Sequence, residues 1–279
     1  MSTQVEMRPE RRAAKRRKNW THAGGKLLIA VVLVGLFAPS LLVALMSFNP
    51  QKIATFPMSG FTLEWWRSMF DTAAVWESAR LSLTIAVSAT VLSVLLGLCA
   101  AWVLNRPGFR LRPLLAAMLV APMVAPALVV GVALLVFWNK VGVERGMPTV
   151  VLAHTALALP YATLVLAAGM ATLDPRLDEA AASLGASRWY AIMRVTLPQL
   201  LPSLIAACAF AFTVSFDEFN VTYFVIGAGE TTLPVYIYSS LKFGITPSLN
   251  AVATLALVLS ITLATIAFGR TRRVEKDLS

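Results

Sequence analysis

Six runs of mostly apolar residues, each long enough to form a membrane-crossing helix, dominate this sequence. A helix that crosses the hydrocarbon core of a bilayer needs roughly 20 such residues. A hydrophobic content of 58% over 279 residues exceeds what one soluble core of that size could bury. We therefore predict an all-α polytopic membrane protein with six transmembrane helices. The predicted spans are Leu27–Met46, Leu81–Leu104, Pro113–Trp138, Thr149–Leu173, Leu200–Thr222 and Leu249–Phe268.

The distribution of Lys and Arg predicts the orientation of these spans, because short basic loops are retained in the cytoplasm. Eighteen of the 24 basic residues fall on the side that holds both termini, the connection between spans two and three, and residues 173–199. We expect that side to be cytoplasmic. The predicted organisation is a basic cytoplasmic arm at 1–26, a transmembrane domain at 27–268 and a cytoplasmic tail at 269–279.

The net charge of +10 does not indicate a nucleic-acid partner. The basic residues lie next to membrane ends and are not interleaved with aromatic residues on a soluble domain, so anionic lipid headgroups explain them better. The sequence has no Gly-rich phosphate-binding loop ending in Lys-Ser or Lys-Thr, and no catalytic cluster of polar residues. We expect no catalytic residues and no cofactor on this chain, with any ATP bound by another subunit.

Metal-ligating residue types are scarce and scattered. Cys99 and Cys208 fall inside predicted spans, where an apolar environment keeps a thiol protonated and unreactive. His154 lies inside span four with no carboxylate or second His at ligand spacing. We therefore predict no metal site and interpret His154 as a packed or backbone-bonded residue.

Residues 173–199, "LDPRLDEAAASLGASRWYAIMRVTLPQ", are more polar than their surroundings and predict two short helices. An Asp-Pro pair favours a helix start, and the acidic residues that follow it suit the dipole of a first turn. Gly185 favours a left-handed stop. Ser187 can cap a second helix, which is expected to end before Pro198.

The apolar residues of this stretch, Leu184, Trp189, Ile192 and Met193, are more than an isolated loop could bury. One interpretation is a surface on which another protein docks. The other is an amphipathic connector that lies on lipid headgroups. Physical chemistry alone does not choose between them.

The spacing within the stretch resembles the "EAA" signature of ABC importer permeases. The matching residues are Glu179, Ala180, Ala181, Gly185, Val195, Leu197 and Pro198, with Val195 standing where Ile is usual. The resemblance implies that this hairpin docks in a cleft on a cytoplasmic ATPase and transmits its closure to the spans. These residues and the adjoining Asp178 are the predicted ATPase-coupling residues.

The resemblance extends over nearly all of residues 27–268, where the sequence is similar to polyamine-type importer permeases. It includes "SFNP", "PGFRLRPLL", "AHTALALPYATLV" and the stretch that begins "SFDEFNVTYF". It implies the type I ABC importer fold in a bacterial inner membrane. It also implies a second permease, an ATPase dimer and a periplasmic substrate-binding protein as partners, and putrescine, spermidine or a related cation as the solute.

Within "SFDEFNVTYF", Asp217 and Glu218 lie near the outer part of span five, where ionisable groups should face protein or water. Two carboxylates suit a cation, and the rings of Phe219 and Tyr223 could contact an ammonium group. These four residues are the predicted substrate path. The alternative is that the carboxylates only bond neighbouring helices or mark the end of the span. Aromatic belts alone explain Tyr238.

Two other functions are weighed against an ABC permease for polyamines. A proton-coupled secondary transporter that uses Asp217 or Glu218 would show midplane charges and repeated halves, and would leave the 173–199 hairpin unexplained. An ABC permease for another small organic solute fits the same sequence features. Pro122, Pro126 and Pro160 are expected to kink spans three and four, either as hinges or as static packing features.

Overall fold

The computed structural model describes residues 9–51, 57–106, 108–242, 244 and 246–278, and every regular element within these ranges is helical. Arg8 and Lys52, two of the basic residues used to predict the orientation, lie outside the described residues, as does the rest of the segment 1–8. The helices are α1 (Pro9–Met46), α2 (Glu64–Asp71), α3 (Ala73–Leu104), α4 (Arg112–Val124), α5 (Ala127–Val141), α6 (Met147–Ala171), α7 (Pro175–Ser183), α8 (Arg188–Ala191), α9 (Leu197–Phe216), α10 (Asn220–Val225), α11 (Leu233–Leu241) and α12 (Pro247–Leu278), with a π-helical turn, Ile192–Thr196, between α8 and α9.

Helices α3, α6 and α9 pack against one another and form the centre of the bundle. Small residues allow the close approach, as is usual between helices in a membrane. A Cβ atom on Gly97 of α3 would lie 3.2 Å from Ala162 Cβ of α6. The buried residues of this cluster are Val94, Ala101, Ala158, Ala162, Leu166, Leu200, Ala207 and Ala211. They fill the end of the bundle nearest to residues 173–199.

The opposite end of the bundle is closed by two further clusters. In one, Ile85 of α3 and Val150 of α6 pack with Val221 and Val225 of α10. In the other, Phe216 at the end of α9 is buried with residues of α2, α3, α11 and α12. The short helices α10 and α11 are therefore held in the core, and the chain between them is fixed at both ends.

Span three is broken, which corrects the prediction of one continuous helix at Pro113–Trp138. Helices α4 and α5 meet at an angle of 103°. Ala125 has an extended backbone with ψ of 134°, the conformation that a following proline favours, and Pro126 is then the N-cap of α5. The bend at this proline is therefore much sharper than the predicted kink and separates two helices.

Span five ends earlier than the predicted limit of Thr222. Helix α9 stops at Phe216, and α10 begins at Asn220. The reason is a competing hydrogen bond, because Glu218 Oε1 accepts from the backbone nitrogen of Val221 at 2.9 Å and so caps the new helix. We call residues 217–219 the acidic break.

The number of spans is four or five by helix length and composition, and the predicted six is not confirmed. In the described ranges, four helices are long and apolar enough to cross a bilayer, and the bent pair α4–α5 makes a possible fifth. The described apolar part of α12, Pro247–Thr262, is shorter. Helix α1 crosses the predicted boundary at residue 26 and α12 crosses the one at 268, so each terminal segment shares a helix with the adjoining apolar run.

Helix α1 stands at the edge of the bundle. Most of its large apolar side chains between Leu28 and Leu45 are exposed, and its packing partner is α12. Such a surface is suited to lipid or to another apolar helix, not to water.

Candidate functional site

The first candidate site is the hairpin formed by residues 173–199, and its first helix starts and stops as predicted. Asp174 Oδ1 accepts from the backbone nitrogen of Arg176 at 3.0 Å, which places an acidic cap at the start of α7. Gly185 has a φ of +80°, the left-handed conformation that glycine adopts readily. The nitrogen of Ala186 donates to the carbonyl of Ala181 at 3.0 Å and closes the end of α7.

The second helix of the hairpin, α8, is also capped as predicted, but the helical path that it begins does not end before Pro198. Ser187 Oγ accepts from the backbone nitrogen of Tyr190 at 3.2 Å. After α8 the chain enters the π-helical turn, where the nitrogen of Leu197 donates to the carbonyl of Ile192. It then continues into α9.

The π-helical turn explains why the proline does not end the helix. In an α-helix, Pro198 would lack a donor for the carbonyl four residues earlier, and its ring would clash with that carbonyl. The wider turn shifts the hydrogen-bond register by one residue just before the proline, which then occupies the first turn of α9. The hairpin is thus joined to span five by an unbroken helical path, Arg188–Phe216.

The hairpin exposes apolar side chains although its two arms pack on each other. Helix α7 contacts α8 and the π-helical turn. Leu184 is 89% exposed and Trp189 is 68% exposed, and Tyr190 and Met193 are also exposed. Of the predicted coupling residues, Asp178, Glu179, Ala180 and Ala181 lie in α7, Gly185 lies at the turn, Val195 lies in the π-helical turn, and Leu197 and Pro198 begin α9.

The second candidate site is the acidic break at the other end of α9. Asp217 is exposed, and its Oδ1 accepts from Ser260 Oγ of α12 at 3.4 Å. Glu218 is half-buried and caps α10. Within the described part of the chain, neither carboxylate forms an ion pair with a basic side chain. Among the described residues, the two negative charges are therefore not neutralised by an ion pair.

Three aromatic rings adjoin the break, and we call Phe219, Tyr223 and Tyr238 the aromatic cluster. The ring centroids of Phe219 and Tyr238 are 4.5 Å apart, and those of Tyr223 and Tyr238 are 5.7 Å apart. Lys242 Nζ lies 5.7 Å from the Tyr223 centroid and 5.2 Å from the Tyr238 centroid. It also approaches the Tyr223 hydroxyl at 3.5 Å. The cluster therefore holds an ammonium group.

His154 joins the helices on either side of the break, a role that the sequence interpretation missed. Its Nδ1 lies 2.8 Å from Ser215 Oγ at the end of α9, and its Nε2 lies 2.7 Å from Thr222 Oγ1 in α10. Thr222 Oγ1 donates to the carbonyl of Glu218 at 2.8 Å, so it accepts from Nε2. In the neutral ring, Nδ1 then accepts from Ser215.

His154, Ser215 and Thr222, whose side chains form these bonds, are all buried. The bonds connect span four to both sides of the acidic break, so that the direction of the chain at residues 217–219 is set by a side chain of another helix. The only signal in the sequence was that three polar residues, His154, Ser215 and Thr222, occur within predicted spans. Their spacing along the chain does not reveal that they meet.

The two sites lie at opposite ends of α9. The structure brings Phe219 and Tyr223 together with Tyr238 and Lys242, and it places Asp217 and Glu218 next to them in the chain. The predicted coupling residues form a separate surface about 30 Å away, the length of the 20-residue helix between them. Among the residues described, no group of three or more His, Cys, Asp or Glu side chains is placed to hold a metal.

Known proteins resemble this chain over most of its length. It is 36% identical to the putrescine transport system permease protein PotI of Escherichia coli (strain K12), over 89% of this chain and 92% of that protein. It is 33% identical to the spermidine/putrescine transport system permease protein PotC of Haemophilus influenzae, over 87% of this chain and 94% of that protein.

A solved structure confirms the predicted fold class. The fold is similar to that of a chain in a bacterial ABC transporter involved in the import of the acidic polysaccharide alginate, with a TM-score of 0.69 and 17% identity. The match covers 94% of this chain and 99% of that chain.

The family described as "Binding-protein-dependent transport system inner membrane component" matches residues 93–278, a range that contains both candidate sites. This match and the two relatives agree with the family resemblance drawn from the 173–199 hairpin. The chain therefore belongs to the family of inner membrane components of binding-protein-dependent transport systems.

Proposed function

We propose that this chain is a permease subunit of an ATP-driven importer and that its solute is a small polyamine of the putrescine and spermidine class. As a member of its family, the chain is a transport subunit and not an enzyme. The observation that supports the substrate class is the acidic break with its aromatic cluster. Two carboxylates, neither with an ion-pair partner in the part of the chain that the structure describes, adjoin in sequence the rings that hold an ammonium group.

The chemistry of a polyamine fits this site. A primary ammonium group is attracted to carboxylates and to the faces of aromatic rings. A transport path must bind its solute weakly, because tight binding would trap it. The exposed carboxylate of Asp217, the half-buried one of Glu218 and the partly exposed rings meet that requirement, since water screens their attraction. The names of the two relatives, which are putrescine and spermidine/putrescine permeases, favour the same class.

The 173–199 hairpin is the proposed site of coupling to a cytoplasmic ATPase, which binds the ATP. Exposed large side chains such as Leu184 and Trp189 provide an apolar contact surface. The unbroken helical path from α8 into α9 provides a rigid connection from that surface to the acidic break. Movement of the hairpin would therefore be transmitted along span five.

The proposed arrangement in the membrane follows from this coupling. Both termini and the hairpin lie in the cytoplasm, and the acidic break lies on the periplasmic side, where a substrate-binding protein would deliver the solute. A second permease completes the path. The exposed apolar faces of the bundle are compatible with such a neighbour and with lipid.

The test is transport by the reconstituted complex. The chain is co-expressed with its sister permease and ATPase, placed in proteoliposomes, and supplied with its binding protein and radiolabelled putrescine. We expect uptake that requires ATP, survives a proton uncoupler, and is inhibited by spermidine but not by the uncharged 1,4-butanediol. Uptake without ATP that the uncoupler abolishes would instead support a proton-coupled transporter. ATP-dependent transport of another solute, with no uptake of putrescine, would refute the polyamine assignment.

A further inference from the structure

We propose that the aromatic cluster is a binding site for an alkylammonium group and that Lys242 of the same chain is its built-in occupant. A substrate ammonium group would bind there by displacing Lys242. The inference rests on the proposed function for the identity of the solute. That another ammonium group can replace the one of Lys242 is inferred only from the geometry of the cluster.

The chemical match between the occupant and the proposed solute is close. A lysine side chain is four methylene groups that end in an ammonium, and putrescine is four methylene groups with an ammonium at each end. A site that holds the ammonium group of Lys242 therefore also suits one end of a putrescine molecule. The rings of Tyr223 and Tyr238 lie within the distance at which a cation is attracted to an aromatic face.

The site is assembled from two elements that the core fixes independently. Tyr223 belongs to α10, whose residues Val221 and Val225 are buried. Tyr238 belongs to α11, which is anchored at its start because the nitrogen of Leu233 donates to Ser82 Oγ of α3 at 2.8 Å. The rings keep their positions when the ammonium leaves, so the site persists without its occupant.

Lys242, in contrast, is held weakly. It follows the last residue of α11, and its side chain is exposed. Its hydrogen bond to Tyr223 is long, at 3.5 Å, and within the described ranges it has no carboxylate partner. Tyr223 is 40% exposed and Tyr238 is 41% exposed, so a solute can reach the same ring faces from solvent.

A tethered occupant blocks the site for part of the time. The apparent affinity of the site for the solute is lowered by that fraction. Lys242 thus acts as a competitor that cannot diffuse away. It keeps the aromatic faces covered between deliveries and favours release of the solute once it has bound. Phe219, whose ring lies against those of both tyrosines, directly follows the two carboxylates of the break in the chain.

The first test measures the displacement directly and does not require transport. The complex in nanodiscs is treated with an acetylating reagent, and acetylation of each lysine is followed by mass spectrometry with and without n-butyltrimethylammonium. This probe carries a cation but does not consume the reagent. We expect the probe to raise the acetylation rate of Lys242 about threefold, the factor expected for a weak cation–π contact at an exposed site. Lys140, an exposed lysine in the last turn of α5, is the internal reference and should not respond.

Two variants of one ring sharpen this test. In Tyr238→Leu the site is lost, so Lys242 should be acetylated quickly and show no response to the probe. In Tyr238→Phe the ring face remains, and the response should be retained. An equal rate with and without the probe in the wild type would overturn the proposal. A response in Tyr238→Leu equal to that of the wild type would overturn it as well.

The second test asks whether Lys242 competes with the solute. Lys242→Met keeps an unbranched side chain, one atom shorter, and removes its charge, so the KM for putrescine uptake should fall about threefold as the site is vacated. Lys242→Arg keeps a cation that also stacks on aromatic rings and should preserve the wild-type KM within twofold. An unchanged KM in Lys242→Met would refute competition. If the wild type transports no putrescine but Lys242 still responds to the probe, the proposed solute fails while the ammonium site stands.

Discussion

His154 is expected to be a main determinant of the geometry of the acidic break, and His154→Leu tests this. Leucine has a similar volume, so the packing around the site changes little while both hydrogen bonds are lost. Side-chain hydrogen bonds between membrane helices contribute about 0.6 kcal/mol on average and at most about 1.7 kcal/mol. Two such bonds give an expected loss of roughly 1–3 kcal/mol in the free energy of unfolding.

The stability lost in His154→Leu should depend on Ser215. In that variant the buried hydroxyl of Ser215 lacks the acceptor that it has in the wild type. The variant Ser215→Ala removes the same bond from the other side. The double variant should therefore be more stable than the sum of the two single effects predicts, by about 0.6–1.7 kcal/mol. Thermal unfolding of the purified complex, followed by tryptophan fluorescence, measures the four stabilities.

A matched control comes from the same helix. Thr163 is buried in α6 as His154 is, but among the described residues its hydroxyl bonds only to the carbonyl of Leu159 in its own helix, at 2.8 Å. We expect Thr163→Val to change stability by less than about 0.5 kcal/mol and to leave transport intact, because no contact between helices is lost. If His154→Leu were as stable as Thr163→Val, or if its effect and that of Ser215→Ala were simply additive, the argument for a bridge between α6, α9 and α10 would be wrong.

Three further predictions concern the two candidate sites. Gly185→Val should abolish putrescine-stimulated ATP hydrolysis in an assembled complex, whereas Gly229→Val, which imposes similar strain at a φ of +82° outside the hairpin, should not. Trp189→Ala should leave thermal stability unchanged, because the side chain is exposed, but should reduce co-purification of the ATPase subunit at least fivefold. Asp217→Asn and Glu218→Gln keep the acceptor oxygens of their local hydrogen bonds, so both complexes should assemble. Each should transport putrescine several-fold more slowly, because a negative charge is lost. Wild-type rates in both variants would show that the carboxylates are not part of the path.

The helices of this fold are largely predictable because length and hydropathy determine them. A run such as Leu81–Leu104 has no alternative in a bilayer, where every backbone group must be bonded within the segment. The structure has a helix there, α3, that ends at the same residue. The helix begins earlier than the predicted span, at Ala73, so α3 includes residues that precede the apolar run.

The predictions failed where a local hydrogen bond or a proline competes with the helix. Glu218 ends span five early by capping α10, and Pro126 divides span three into two helices. Pro198 has the opposite outcome, since the π-helical turn before it allows the helix to continue. Hydropathy does not distinguish these cases, because each depends on the backbone geometry of the two or three residues that precede the proline or follow the acid.

The candidate sites could be predicted only in part. The residues of the hairpin are contiguous, so their pattern was recognisable, and Asp217, Glu218, Phe219 and Tyr223 lie within one short segment. Contacts between distant segments were not predictable. The approach of Lys242 to the aromatic cluster joins residues 19 apart in the chain, and the bond from His154 to Thr222 joins residues 68 apart.

The π-helical turn sets the rotational phase between the hairpin and span five. Each residue added to a helix rotates the next part of the chain by about 100° and advances it by 1.5 Å. In the π-helical turn Ile192–Thr196 one extra residue is taken up by the wider loop of the backbone, so α8, with Trp189, keeps nearly the direction around the axis of α9 that an α-helix one residue shorter would give it. A one-residue insertion or deletion in the regular part of α9 has no such outlet and would turn the hairpin about a quarter of the way around that axis, so related sequences should keep the length of α9 constant while they tolerate substitutions in the turn.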